Sequence, residues 1–283
     1  MDYLTLTEGL GIPSRSVVAL VGGGGKTTTL RRLCLECGQE GRRVLATTTT
    51  RMKMEDLSDM RDVLFWDEKD PMGQTWTAWE SRSSASGKRW IDRALAGAEA
   101  EAGLPATFLG RSIMRDKIIG LPADHLGELL GRLSWDHVVV EADGSRGKSV
   151  KGHRLGEPAF PLCATHCVIV LGADALGVTL NDDHVHRPEI VQDLLGLPWG
   201  APITAEKAAE LLSHPRGILG KIPGDVEVLV YVNKAPMGPA REAVKEFARI
   251  LLSKCGLRIR RVAVGDNRQG GPVEVHGPPA AEA

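Results

Sequence analysis

Ser16-Val17-Val18-Ala19-Leu20-Val21-Gly22-Gly23-Gly24-Gly25-Lys26-Thr27-Thr28-Thr29-Leu30 joins an apolar run to four glycines, a lysine and three threonines. The run predicts a strand, the glycines a tight turn, and the residues beyond them a helix. Glycines tolerate the backbone values that let consecutive N–H groups converge, and a helix starting at the threonines aims its positive dipole end at the same point. The stretch therefore predicts a phosphate cradle built from Gly22, Gly23, Gly24 and Gly25. Lys26 is expected to reach the β- and γ-phosphates, and the hydroxyl of Thr27 or Thr28 to join a phosphate-bound Mg²⁺. The match to the Walker A pattern G-x-x-x-x-G-K-[ST] is incomplete, because Leu20 stands where the first glycine belongs. A dinucleotide-binding turn is the competing reading. It wants an acid at the end of the next strand, and Arg43-Val44-Leu45-Ala46 runs instead into Thr47-Thr48-Thr49-Thr50-Arg51.

A chain of 283 residues with 42% hydrophobic residues can bury a full core. Lys plus Arg number 35 against 36 Asp plus Glu, a balance that gives no electrostatic grip on nucleic acid or on an anionic membrane. No apolar run approaches the roughly 20 residues of a membrane span. The start Met1-Asp2-Tyr3-Leu4 lacks the basic flank of a signal peptide, so a cytoplasmic setting is expected. Five cysteines are an odd number and argue against a disulfide framework. Cys34 and Cys37 are expected on one inward face of the first long helix. Cys163 and Cys167, with His166 between them, mix soft ligands but lack a second matched pair.

Strands are expected at 43–46, 63–66, 106–109, 138–140, 167–171, 226–232 and 259–264, and helices at 91–102, 123–133, 204–214 and 239–254. Continuous apolar runs such as Val138-Val139-Val140 belong to strands covered on both faces, which implies a parallel sheet with a helix layer on each side. One domain over 1–265 is expected, with the polar stretch 67–105, which holds Trp76, Trp79 and Trp90, as an insertion. The Gly- and Pro-rich end from Asp266 reads as a frayed tail.

Parallel α/β sheets bind ligands at the carboxyl ends of their strands, where Glu141 and Asn233 fall together with the glycine turn. Val138-Val139-Val140-Glu141-Ala142-Asp143 is an apolar strand ending in two acids that could hold Mg²⁺ and orient a water. If the strand continues through both, Glu141 and Asp143 point to the same side. Ser145-Arg146-Gly147-Lys148-Ser149-Val150-Lys151 then supplies cations, of which Arg146 or Lys151 could neutralise γ-phosphate charge or hold an anionic substrate. Thr49 and Arg51 are candidates to meet phosphate or Mg²⁺. Asn233-Lys234 opens an N-K-x-D base-recognition pattern, but Pro236 stands in place of the aspartate. His184 and His186 have H-x-H spacing, and His186 or Arg187 could instead contact substrate.

In order, VGGGGKTT (21–28), TTTTRM (47–52), EADGSRGKSVK (141–151) with Glu157-Pro158, GADALG (172–177), VHRPE (185–189) and Asn233-Lys234 resemble the selenium-dependent hydroxylase accessory protein (YqeC) family. The resemblance implies a P-loop NTPase-like three-layer fold, and the short glycine turn fits it. It also implies a part in selenium cofactor biosynthesis and in maturing selenium-dependent molybdenum hydroxylases. The expectation is a slow, Mg²⁺-dependent NTPase using ATP or GTP, whose partner is a molybdenum hydroxylase or its cofactor machinery. A small-molecule kinase or ligase with an anionic acceptor, and a nucleotide-responsive scaffold, are the alternatives.

Overall fold

A computed structural model describes residues 4–58, 60–66, 76–78, 104–131, 135–235 and 241–277. Along the chain run α1 (Leu6–Leu10), β1 (Ser16–Gly22), α2 (Lys26–Gln39), β2 (Val44–Thr48), β3 (Arg51–Lys53), β4 (Met60–Trp66) and β5 (Trp76–Ala78). Next come β6 (Leu104–Gly110), β7 (Ser112–Met114), β8 (Lys117–Ile119), α3 (Leu126–Gly131), β9 (His137–Glu141), β10 (Val150–Lys151), β11 (His166–Gly172) and β12 (Val185–His186). The order closes with α4 (Pro188–Leu195), α5 (Ala205–Ser213), β13 (Glu227–Asn233), α6 (Arg241–Cys255), β14 (Ile259–Val264) and β15 (Glu274–His276).

Among the described residues the main sheet has ten strands in the order β15-β14-β13-β11-β1-β9-β2-β6-β4-β5. The eight from β14 to β4 are parallel, and antiparallel β15 and β5 close the two edges. The pleat decides which layer each side chain joins. Val18, Leu20, Val139, Val168, Val170 and Tyr231 pack with Leu30 and Leu33 of α2 and Leu6 and Leu10 of α1. Their neighbours Ala19, Val21, Ile169, Leu171, Val230 and Val232 pack against α4, α5 and α6, while Val138 and Val140 pack with Leu126 and Leu129 of α3. The result is the mainly parallel three-layer α/β arrangement. Cys34 and Cys37 lie in the α2 layer and Cys167 in the opposite one, as small apolar groups.

No helix among the described residues is long and apolar enough to cross a membrane. Trp76 begins edge strand β5. Trp79, Trp90, the helix expected at 91–102 and nearly all of the 67–105 stretch lie outside the described residues. The short strands β3, β7 and β8 form a separate three-stranded sheet that the sequence pattern did not indicate.

The expectation of a frayed end from Asp266 is corrected for residues 266–277; the last six residues lie outside the described residues. Val273 is buried in the α2 layer, Leu4 and Val273 form a bridge, and β15 pairs with β14. The physical reason is that β14 would otherwise expose an edge, and Val273 and Val275 supply apolar cover on the α1 side. Arg32 donates to Gly271 O at 2.7 Å and ties the same segment to α2. Ending the chain after Gly265 is therefore expected to cost about 2–5 kcal/mol, the range for losing a buried apolar contact set. The test is a denaturation midpoint, and an unchanged midpoint would return this segment to the status of a tail.

Candidate functional site

The glycine turn sits where β1 meets α2, at the carboxyl end of the parallel strands. Gly24 and Gly25 have φ of 76° and 109°, values that L side chains rarely adopt. A Cβ on Gly24 would stand 2.1 Å from the Gly172 nitrogen, so the glycine is required on steric grounds as well. The Gly23 N–H donates to Val170 O at 2.8 Å and the Gly24 N–H to Lys148 O at 3.0 Å. The N–H groups of Lys26, Thr27 and Thr28 open α2, and a helix's first turn has no preceding carbonyl to receive them. The converging donors are thus divided. Two are held by protein carbonyls, and the first turn of α2 is left to face a ligand.

Lys26 is buried, donating to Gly22 O at 2.7 Å, with its Nζ 3.0 Å from Asp143 Oδ1 in an ionic contact rather than an aligned hydrogen bond. Asp143 Oδ2 accepts the Gly22 N–H at 2.9 Å, lies 2.8 Å from His153 Nε2 and is 3.2 Å from Lys151 Nζ. Burial alone would make the Asp143 carboxyl harder to ionise. The Lys26 ammonium, the His153 hydrogen bond and Lys151 outweigh it and hold the carboxyl well below the usual carboxylate range. Burial also lowers the Lys151 ammonium and the His153 imidazole below their ordinary values.

Glu141 ends β9, in register with Leu20, and shares the α2-facing parity of Val139. Its Oε2 consequently accepts the Thr27 hydroxyl at 2.8 Å. Burial raises its carboxyl above the ordinary value. The condition that the strand continues through both acids is not met, because β9 stops at Glu141. Asp143 reaches the turn through the chain beyond the strand and comes in beneath Lys26, whereas Glu141 meets the start of α2.

Among the described residues no group of three or more His, Cys, Asp or Glu is placed to hold a metal by itself. Thr27 Oγ1 and Glu141 Oε2 are a hard oxygen pair. They suit an Mg²⁺ that brings most of its shell as phosphate oxygens and water. Asp143 takes its hydrogen bonds through Oδ2, while its Oδ1 accepts none and meets Lys26 in the ionic contact alone.

The remaining candidates divide between site and surroundings. Asn233 donates to Gly24 O at 2.7 Å and braces the turn from β13. Lys234, at φ 59°, points to the other side and donates to Ser149 Oγ and Asp174 Oδ2, each at 2.8 Å. Lys151 donates to Gly144 O at 2.7 Å. Arg146 is exposed at φ 50° on the same segment, and Arg51 is exposed at the start of β3. Thr28 Oγ1 donates to Gly25 O at 2.7 Å and Thr49 Oγ1 to Ala159 O at 2.7 Å, so Thr49 supports the neighbouring segment. His186 lies beside Lys151 through the β10–β12 pairing, Arg187 binds Glu157, and His184 bonds Asn181 and Thr179. His153, Asp174 and Asn267 were not singled out from the sequence. Only Asp174, inside GADALG, carried a signal.

A sequence signature described as YqeC protein matches residues 18–189. The chain is 28% identical over 235 residues to the uncharacterized protein YqeC of Escherichia coli (strain K12), an alignment covering 83% of this chain and 82% of that protein. Among solved structures, it is similar to the signal recognition particle 54 kDa protein of Aeropyrum pernix K1 in complex with GDP, at 17% identity and a TM-score of 0.39. That match covers 92% of this chain and 43% of the other, so the chain spans less than half the length of that solved protein.

Removing the central carboxylate leaves the buried Lys26 ammonium without its ion-pair partner and Lys151 with only Glu157, at 3.7 Å. Asp143→Asn is therefore expected to cost about 3–5 kcal/mol, read as a lowered unfolding midpoint; an unperturbed midpoint would show that Asp143 is not the electrostatic anchor. His186 gives a pH prediction. Burial first, then Arg187, Lys151 and Arg146, pull its imidazole from 6.5 down to about 4. Between those values the unfolded chain binds more protons than the folded one, so stability falls as pH drops through that window and levels off below it. In a Tm-against-pH series, His186→Gln should show a shallower fall over that window than the native protein, and identical slopes would contradict this.

Proposed function

The chain belongs to the YqeC protein family, and on that premise we propose that it is a P-loop accessory protein that binds and slowly hydrolyses a nucleoside triphosphate, ATP or GTP, with Mg²⁺. One observation carries the reading: a lysine buried in a glycine turn at a helix start, with Asp143 against the lysine and Glu141, at the end of the adjacent strand, against the neighbouring Thr27. An incoming triphosphate offers Lys26 a stronger anionic partner than the shared Asp143 carboxylate, while the first-turn N–H groups of α2 receive phosphate oxygens. Bound Mg²⁺, held by Thr27 with Glu141 close by, would draw charge from the β- and γ-phosphates. Glu141 is the acid placed to orient a water. Asp143 retains Lys151, His153 and the Gly22 N–H and keeps the turn in shape. Arg146, exposed on the segment that follows, is the cation available to approach the γ-phosphate.

The same segment makes the switch. Lys148 O must release the Gly24 N–H if the cradle is to close on phosphate, and a shift there reaches Ser149, Lys234 and Asp174. We assign this two-state segment the task of signalling nucleotide state to a client. The motif set shared with the selenium-dependent hydroxylase accessory proteins supports a selenium-dependent molybdenum hydroxylase, or its cofactor machinery, as that client. Lys26→Ala is expected to weaken Mg²⁺-triphosphate affinity by about 10- to 100-fold, the scale of one charge-assisted hydrogen bond. Glu141→Gln is expected to keep binding and lower turnover by about 100-fold or more. The measurement is titration with labelled ATP and GTP followed by phosphate release, with circular dichroism confirming that each variant folds. Native affinity in Lys26→Ala would sink the proposal.

A further inference from the structure

Glu141, the acid that would face the γ-phosphate, ends β9, on one side of β1. Strands β11, β13 and β14 lie on the other. A triphosphate anchored at Lys26 with its γ end toward Glu141 therefore runs its nucleoside end toward β13 and β14. There the chain has built a rigid polar wall that the phosphate chemistry leaves unused. Gly265 N–H donates to Val232 O and Ala235 N–H to Gly265 O, locking the end of β14 to the end of β13. Asn267 N–H donates to Asn233 Oδ1 at 2.9 Å, Asn267 Nδ2 donates to Thr29 Oγ1 at 2.9 Å, and the buried Tyr231 hydroxyl donates to Asn267 Oδ1 at 2.9 Å. One residue thus ties the wall to the base-motif asparagine, to the first long helix and to the core.

We propose that the nucleoside lies against the 265–268 turn, with the Asp266 carboxylate reading the base and selecting guanine over adenine. This rests on the nucleotide-binding reading above. Position 236, where the N-K-x-D pattern wants an acid, is proline. Asp266 brings a carboxylate to the same strand ends from the next strand instead. It is half-buried, and its Oδ1 takes the Arg268 N–H at 2.9 Å, which fixes the side chain within the turn. Guanine presents N1–H and a 2-amino group as parallel donors to such an acceptor; adenine presents the lone pair of N1, which a carboxylate repels. The neighbouring acid Asp174 is held by Lys234 beside Ser149 and serves the segment over the turn.

Asp266→Asn keeps an acceptor for the Arg268 N–H, so the turn stands, but it replaces one acceptor by a donor. Xanthine carries a carbonyl where guanine has its amino group and is the base this variant should favour. Equilibrium binding of GTP, ATP and xanthosine triphosphate, each with Mg²⁺, would be measured on the full chain, on Asp266→Asn and on Asp174→Asn. The expected result is GTP preferred over ATP by about tenfold or more in the native protein and in Asp174→Asn. In Asp266→Asn that ratio should collapse and affinity for xanthosine triphosphate should rise. Native preference for ATP, a GTP preference that survives Asp266→Asn, or one lost in Asp174→Asn would overturn the base assignment with nucleotide binding intact. A folded native chain that binds none of the three would remove both readings.

Discussion

The Asp143 carboxylate, 1% exposed, is surrounded by the Lys26 and Lys151 ammonium groups, the His153 imidazole and the Gly22 N–H. Ions buried this deeply lose several kcal/mol of hydration each, and the group is tolerable only because every charge has an opposite charge or an oriented dipole beside it. That requirement fixes three separate pieces of chain. The end of β1 must present a backbone N–H, the start of α2 must present a lysine, and the segment after β9 must fold back so that Lys151 and His153 come in from below. The glycines answer to the same constraint, since the turn has to pass between Val170 and Lys148 with no room for a Cβ. An arrangement of this kind contributes shape more than stability.

Charge is also apportioned by partners rather than by depth. Glu141 and Lys151 are both drawn toward their neutral forms by burial, while Asp143 is held ionised. The two acids two residues apart therefore occupy unlike electrostatic settings. One is committed to holding the turn, and the other keeps a carboxyl oxygen against the hydroxyl that opens α2.

The parts of this arrangement that could be read in the sequence are those governed by local periodicity. Apolar runs located β9, β11 and β13, because strands covered on both faces have no polar face to interrupt them. The strand-glycine-lysine order located the turn, and pleat parity is why Glu141 and Asn233 meet it. What could not be read depends on contacts distant in sequence. His153 became a partner of Asp143 only because the segment between them reverses direction. Residues 266–277 looked unstructured because their stability comes from an edge strand and from α1, neither of which a window of a few residues contains. The strands β3, β7 and β8 are three residues each, too short to establish a period. The Thr5–Glu8 capping box of α1 was legible in principle, as threonine followed three residues later by glutamate.

The bond from the Gly24 N–H to Lys148 O has one more consequence. A carbonyl on the same chain occupies a donor that a phosphate oxygen would use, so the protein carries its own competitor at an effective concentration set by the tether. Ligand affinity is then a difference between two occupancies of one donor rather than a property of the cradle alone. Under the proposed function, thermodynamic reciprocity requires that whatever draws the 144–149 segment outward tighten anion binding, and that a bound anion loosen that segment by the same factor. In that reading the strength of coupling between the ligand and the outer surface rests on a single backbone hydrogen bond.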